Sequence, residues 1–477
     1  MTTTHLPSNL FIDGVWRDAG NRFDVVNPAD NSVLGSVADA SVPDALSAVA
    51  AAHRAFSAWS ATSPRQRSEI LRRAWEIMTA EAETIARTIV LENGKAWADA
   101  VGETAYAADF FRWFAEEAVR IAGDFRLAPN GDKTIIIDHK PIGVSVLVTP
   151  WNFPAAMATR KIAPALAAGC TVVLKPAGAT PFTALLIADI LGRAGVPHGV
   201  VNVITTSSSG AVIRAMLADA RVRKLSFTGS TEVGRILLRE AADRIISCSM
   251  ELGGNAPFLV MEGSDVDTAI AAAMAAKIRN GGAACTAANR FYVHASVAKP
   301  FSAALVEAFG RLRIGSGLDR KNELGAMVSQ AEADKIEQYV QTAQDEGASA
   351  VVAGKAPTGG AFVAPVVLNG VEHGATVTRE ELFGPVAPIV TFEDEDEAVR
   401  MANDTEYGLM SYVVGGTVQQ ALSVGRRMES GMVAINRGGA SDPAASFGGT
   451  KESGLGREGG FHGIQEFLEP QYLAVDL

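Results

Sequence analysis

Cys285 stands in Arg279-Asn-Gly-Gly-Ala-Ala-Cys285-Thr-Ala-Ala-Asn289, a loop of small residues that leaves a thiol accessible. A thiolate is a strong nucleophile, so Cys285 is a candidate for covalent catalysis wherever its surroundings lower its pKa. Cys170 and Cys248 fall in apolar strand or strand-edge contexts and read as core thiols. Glu251, in Glu251-Leu-Gly-Gly254, closes an apolar strand. A carboxylate there faces the ligand crevice of an open α/β sheet, although a solvated loop glutamate is the plainer reading. Asn152, in Thr149-Pro-Trp-Asn-Phe-Pro154, could donate its amide to an oxyanion or simply cap a helix. Phe227-Thr-Gly-Ser-Thr-Glu-Val-Gly234 follows a strand and opens a helix, where free N–H groups suit a phosphate. Arg235 follows where a phosphate-binding loop of triphosphatases needs Lys and then Ser or Thr, which excludes that class.

The elements that must position these residues alternate. Residues 44–92 are Ala-rich and helical, with Gly94 as a stop. Strands are expected at 144–149, 171–175, 200–204 and 224–228, and helices at 155–168, 182–194, 211–218 and 232–242. A second series has strands at 257–261, 291–294, 386–392, 411–414 and 433–436, and helices at 265–278, 299–311, 395–403 and 417–427. Such alternation implies mostly parallel sheets with helices on both faces. The fold class is therefore α/β with two doubly wound domains, and Gly253-Gly254 is a plausible hinge between them. Residues 125–140 carry a turn, Pro129-Asn-Gly-Asp132, between strand-like flanks and read as a hairpin arm; residues 472–477 read as a terminal strand.

With 48% hydrophobic and 20% charged residues, the whole chain has an ordinary globular balance. Its 477 residues exceed one core, and a net charge of −11 argues against nucleic-acid binding. Three cysteines without a C-x-x-C pair suggest a reducing compartment, and seven scattered histidines suggest no metal site. No leader and no membrane span is expected, so the cytoplasm is the default.

In order along the chain, Pro150-Trp-Asn-Phe-Pro154, Leu174-Lys-Pro176, Phe227-Thr-Gly-Ser230 with Gly234, Glu251-Leu-Gly-Gly254, Cys285, Glu381-Leu-Phe-Gly-Pro385 and Phe447-Gly-Gly449 resemble the aldehyde dehydrogenase superfamily over essentially the full length. The resemblance implies that Cys285 attacks the aldehyde while Asn152 and the Cys285 N–H hold the oxyanion. Hydride leaves to a nicotinamide, giving a thioester, and Glu251 activates the water that hydrolyses it. Lys161 matches a motif lysine near the oxyanion site, against a plainer reading as a helix-surface charge. Lys175 and Glu381 match ribose contacts. Thr149, Pro150, Trp151, Gly178, Gly229, Ser230, Gly234, Leu252, Gly253 and Phe383 complete the implied cofactor site. The family's usual Gly-Gln-x-Cys reads Gly282-Ala-Ala-Cys285 here, which bears on loop positioning. The implied division is 1–122 with 142–253 for the dinucleotide, 254–445 for catalysis, and 123–141 with 464–477 for an oligomerisation arm and C-terminal strand.

Within the superfamily, Phe153-Pro-Ala-Ala-Met-Ala-Thr-Arg-Lys161, Ser249–Pro257, Lys277-Ile-Arg-Asn280 and Gly454-Leu-Gly-Arg-Glu-Gly459 are most similar to succinate-semialdehyde dehydrogenases. That implies a small ω-oxo acid aldehyde whose far carboxylate meets Arg160 and Arg279, with Phe153, Ser441 and Phe447 lining the substrate site. Glutarate and 2-oxoglutarate semialdehydes and aromatic or aliphatic aldehydes stay open. Gly178, where NAD-preferring relatives often carry Glu, implies that NADP is accepted alongside NAD, with no metal; preference between the two stays open. Ala287 replaces the second cysteine of a local redox switch. A homodimer or homotetramer is expected, arm and terminal strand pairing with a neighbouring subunit. The rivals are a CoA-acylating relative, which would lack Glu251, and an inactive binding protein of the same fold.

Overall fold

A computed structural model describes residues 6–476, so residues 1–5 and Leu477, the last residue of the expected terminal strand, lie outside it. Two sheets carry the architecture. In the first, strands Val201–Val203, Thr171–Lys175, Val144–Val148, Val222–Thr228 and Ser247–Glu251 lie side by side and parallel. Val144–Val148 and Thr171–Lys175 are buried at every position, as expected of strands covered by helices on both faces. The chain runs outward from Val144–Val148 on one side, then returns to build the other, so strand order reverses between Val144–Val148 and Val222–Thr228. Ligand crevices form at such a reversal, at the carboxyl ends of the strands. Pro150-Trp151 and Gly229-Ser230 leave the sheet there.

The second sheet orders Val366–Asn369, Val386–Phe392, Ala288–His294, Ala256–Val260, Met410–Val414 and Met432–Ile435 in parallel, with Ser349–Val352 antiparallel at one edge. Cys285 lies just before Ala288–His294, at the amino end of the second sheet. Gly253 and Gly254 join the carboxyl end of Ser247–Glu251 to the amino end of Ala256–Val260. The finishing ends of one sheet thus face the starting ends of the other. Late in the chain, Gly454–Leu455 adds an antiparallel pairing to Met250–Glu251.

Helix signals follow the sequence. Val42–Ser60 and Pro64–Ala80 each begin with a capping box, Ser41 with Asp44 and Ser63 with Gln66, and with proline in the first turn. Gly94 and Gly169 end their helices at φ +87° and +98°. Among the elements without a counterpart in the sequence reading are the hairpin Leu10–Ile12 with Val15–Arg17, the pair Asn21–Val26 with Val33–Asp39, strands Ser349–Val352 and Val366–Asn369, and helices Trp97–Glu117 and Gln330–Asp345.

Within the chain the arm is a three-stranded sheet. Asp124–Leu127 and Thr134–Pro141 form the hairpin, and Leu468–Val475 adds to Thr134–Pro141 over eight residues of the same chain. The terminal strand starts earlier than the expected residue 472, because Leu468 to Gln471 already pair with Pro141 to Asp138. No helix among the described residues is long and apolar enough to cross a membrane.

Candidate active site

A cleft of about 440 Å³ runs between the sheets. Pro150, Trp151, Asn152, Gly229, Ser230, Leu252 and Gly253 line it from the first sheet, and Cys285, Glu381 and Phe383 from the second. The Trp151 and Phe383 rings meet edge to face across it, 5.4 Å between centroids. Ser230 caps helix Thr231–Ala242 by accepting from the Val233 N–H. Gly234 on that helix packs so tightly on Leu252 that a β-carbon would lie 2.4 Å from its methyl. Thr149 is buried off the cleft wall, its N–H donating to the Lys175 carbonyl at 3.2 Å. Lys175 is buried, and burial lowers its pKa to about 8. Gly178 is half-buried and faces Phe23 and the Thr206 carbonyl, which a β-carbon would meet at 3.7 and 3.8 Å.

Cys285 is half-buried rather than freely accessible. Burial pushes its thiol up to about 12; Arg160 and Arg279 pull the other way, Glu381 and Glu251 add to the rise, and burial wins. At neutral pH the resting thiol therefore holds its proton. Cys170 is buried, whereas Cys248 is only partly so.

Asn152 does not cap the helix that follows. Phe153 occupies the cap position of Pro154–Ala168 without a side-chain bond, and the Asn152 amide instead donates to the Ala283 carbonyl at 3.2 Å, two residues from Cys285. Glu251 is no solvated loop residue. It is 2% exposed, and neither carboxylate oxygen has a hydrogen-bond partner among the described residues. Burial and the neighbouring Glu458 raise its pKa well above the carboxylate range, against Lys161 and Arg160.

Lys161 is fully buried, not a surface charge. It donates to Glu458 Oε1 at 2.5 Å and Ser226 Oγ at 2.9 Å. Arg160 is buried too. It donates to the Tyr106 hydroxyl at 2.6 Å, lies 3.7 Å from Glu458 and sits 4.1 Å over the Phe447 ring, while its Nε finds no partner among the described residues. Arg279 rests on the Phe153 ring at 4.9 Å and makes no ion pair among the described residues. Ser441 is half-buried, and no hydrogen bond joins it to this group among the described residues. Phe447 and Glu458 exchange backbone hydrogen bonds of 2.7 and 2.8 Å, which folds the loop that delivers both.

The sequence reading passes over Tyr106, Lys95, Glu103 and the role of Glu458. Glu458 sits in a Gly-rich stretch with no periodicity to flag it, whereas Lys95, Asp99 and Glu103 stand four residues apart, a helical spacing that was available.

The sequence model of the Aldehyde dehydrogenase family matches residues 16–473. Succinate-semialdehyde dehydrogenase [NADP(+)] GabD of Escherichia coli (strain K12) is 46% identical over 98% of this chain and 99% of its own. Glutarate-semialdehyde dehydrogenase of Pseudomonas putida is 45% identical over 98% of this chain and 97% of its own. The crystal structure of succinate-semialdehyde dehydrogenase from Burkholderia pseudomallei superposes with a TM-score of 0.98 at 41% identity, covering all of both chains.

The protonated state of Cys285 is measurable. Alkylation of the cofactor-free protein by iodoacetamide is expected to quicken about tenfold per pH unit from pH 7 to 10 without levelling, because only the thiolate reacts. A plateau below pH 9 would contradict a thiol held this high.

Proposed function

This chain belongs to the aldehyde dehydrogenase family, and from that premise we propose that it oxidises an ω-oxo acid, succinate semialdehyde first, to the dicarboxylic acid with NADP or NAD as acceptor. The observation that carries the substrate is the pair of guanidiniums beside the Cys285 thiol: Arg279 without an ion pair among the described residues and Arg160 with an unpartnered Nε. A carboxylate at the far end of a short aldehyde gives Arg279 an ion pair and Arg160 Nε an acceptor, and a neutral aldehyde supplies neither. Glutarate semialdehyde is the second reading, supported by the relative of that name.

The cleft fits a dinucleotide. Helix Thr231–Ala242 opens onto it beside Gly229, giving N–H groups and a positive dipole end for a pyrophosphate. Glu381 Oε1 accepts from the Gly254 N–H at 3.1 Å, leaving its other oxygen to a ribose hydroxyl. Lys175, buried at a strand end, offers an ammonium to the second ribose, and Gly178 leaves room there for a 2′-phosphate. Bound in this cleft, the nicotinamide supplies a hydride acceptor.

The chain's own residues do the rest. Cys285 passes its proton to water in the cleft that it lines and adds to the carbonyl carbon as the thiolate, forming a thiohemiacetal oxyanion; an aldehyde has no leaving group, so hydride can depart only from this adduct. The Asn152 amide, released from Ala283, and the Cys285 N–H receive the oxyanion. Glu251 takes a proton from water, which attacks the thioester and returns the thiol. A carboxyl with a raised pKa serves as that base only after losing its own proton, so hydrolysis strengthens as pH rises. Glu251 also argues against transfer to CoA, and the presence of nucleophile, amide and base argues against an inactive binder.

The reducing interior of the cell suits three unpaired cysteines, and we place the enzyme in the cytoplasm. It assembles as a homodimer or homotetramer, a reading supported by the exposed Phe125, Leu127 and Tyr472 on the arm sheet.

Three measurements test this. Succinate semialdehyde is expected to exceed butanal in kcat/KM by about 100-fold, and Arg279→Leu to lose that margin on the charged aldehyde alone; a ratio near one ends the ω-oxo acid reading. Glu251→Gln should release one equivalent of reduced cofactor and stall, while wild-type kcat climbs with pH; steady turnover by the variant would remove Glu251 from hydrolysis. For the cofactor, NADP is expected to show a KM no higher than that of NAD, and a much higher one would reverse the assignment of Gly178.

A further inference from the structure

We propose that Lys95 and Glu103 are positioning residues that aim the Asn152 amide at the reacting carbonyl oxygen, a role that rests on the oxyanion reading of Asn152. Both lie outside the cleft wall, and both are 2% exposed. The Lys95 ammonium donates to Glu103 Oε2 at 2.6 Å and to the Asn152 carbonyl at 2.7 Å. Glu103 Oε1 accepts from the N–H groups of Ala155 at 2.8 Å and Ala156 at 3.2 Å, in the first turn of Pro154–Ala168. The pair therefore grips the chain at the Asn152 carbonyl and again at Ala155 and Ala156, on both sides of Phe153, which fixes the Asn152 backbone so that only its side chain is left to orient. Phe153, between these two grips, has Lys95 4.3 Å from its ring centre and Arg279 4.9 Å from it. The same clamp thereby sets the platform on which Arg279 rests.

The nucleophile loop is tied to the same point. Asn280 Nδ2 donates to the Asn152 carbonyl at 2.9 Å and to the Ala283 carbonyl at 2.8 Å, and the Asn280 N–H donates to Asp99 Oδ2 at 3.0 Å. One helix, Trp97–Glu117, with Lys95 just ahead of it, thus holds the amide and the thiol loop in a single register. A neutral side chain would suffice to cap a helix start. A buried ion pair, which seldom adds net stability over an apolar one, is suited instead to fixing a geometry. Misplacement of a reacting group by about 1 Å costs on the order of 100-fold in rate.

The test compares Lys95→Met, Lys95→Met/Glu103→Gln, Asn152→Ala and Lys95→Met/Asn152→Ala. The second variant leaves no unpaired buried charge, and cofactor binding by fluorescence verifies folding in each. The clamp variants are expected to bind NADP as the wild type does and to lose about 100-fold in kcat/KM, with Lys95→Met/Asn152→Ala no slower than Asn152→Ala. A purely structural role would instead multiply the two losses, and that outcome overturns the proposal. Wild-type turnover in both clamp variants beside a slow Asn152→Ala overturns the clamp alone. Wild-type turnover in Asn152→Ala overturns the oxyanion reading and the clamp with it.

Discussion

At Gly254 a β-carbon would stand 2.3 Å from the carbonyl oxygen of Cys285, so no side chain fits between the two strands of chain that meet there. One comes from the first sheet and the other leads into the second. Their contact sets the distance between the thiol and everything fixed to residues 251–254. Glu251 lies three residues upstream on the same stretch, and the Gly254 N–H holds Glu381. Thiol, buried carboxyl and cleft carboxylate are thus referenced to one short segment of backbone, and the two sheets cannot drift apart without breaking that reference.

Around this contact the site accumulates charge that burial resists. Glu251 and Glu458 face Lys161 and Arg160 in an interior almost closed to water. Lys161 is committed to Glu458, so Glu251 keeps both oxygens free. Desolvation decides the outcome at three groups: it raises Glu251, raises Cys285 and lowers Lys175. At Glu251 and Cys285 the cations nearby moderate the rise without reversing it.

Most of the framework was legible in the sequence because its signals are local. Val144–Val148, Thr171–Lys175 and helix Pro154–Ala168 announce themselves by apolar runs and by glycine at the helix end. The hairpin at Asp13-Gly14, with φ of 57° and 74°, carried a turn signal that went unread because its strands are only three residues long. Helix Trp97–Glu117 was harder. It buries Glu103 and Glu117 along with its aromatics, so its polar residues do not mark a solvent face. For the same reason the charged residues of the site were placed but not described: their meaning lies in partners 50 to 300 positions away, as with Lys161 and Glu458, 297 apart. The arm was legible as strands, yet its pairing with the chain's own terminus is a long-range fact that composition does not carry.

The proton kept on the Cys285 sulfur has a bearing on how the molecule survives between turnovers. Peroxides and soft metal ions attack sulfur mainly in its anionic form. A sulfur that burial keeps protonated is a slower target for such agents than an exposed thiolate.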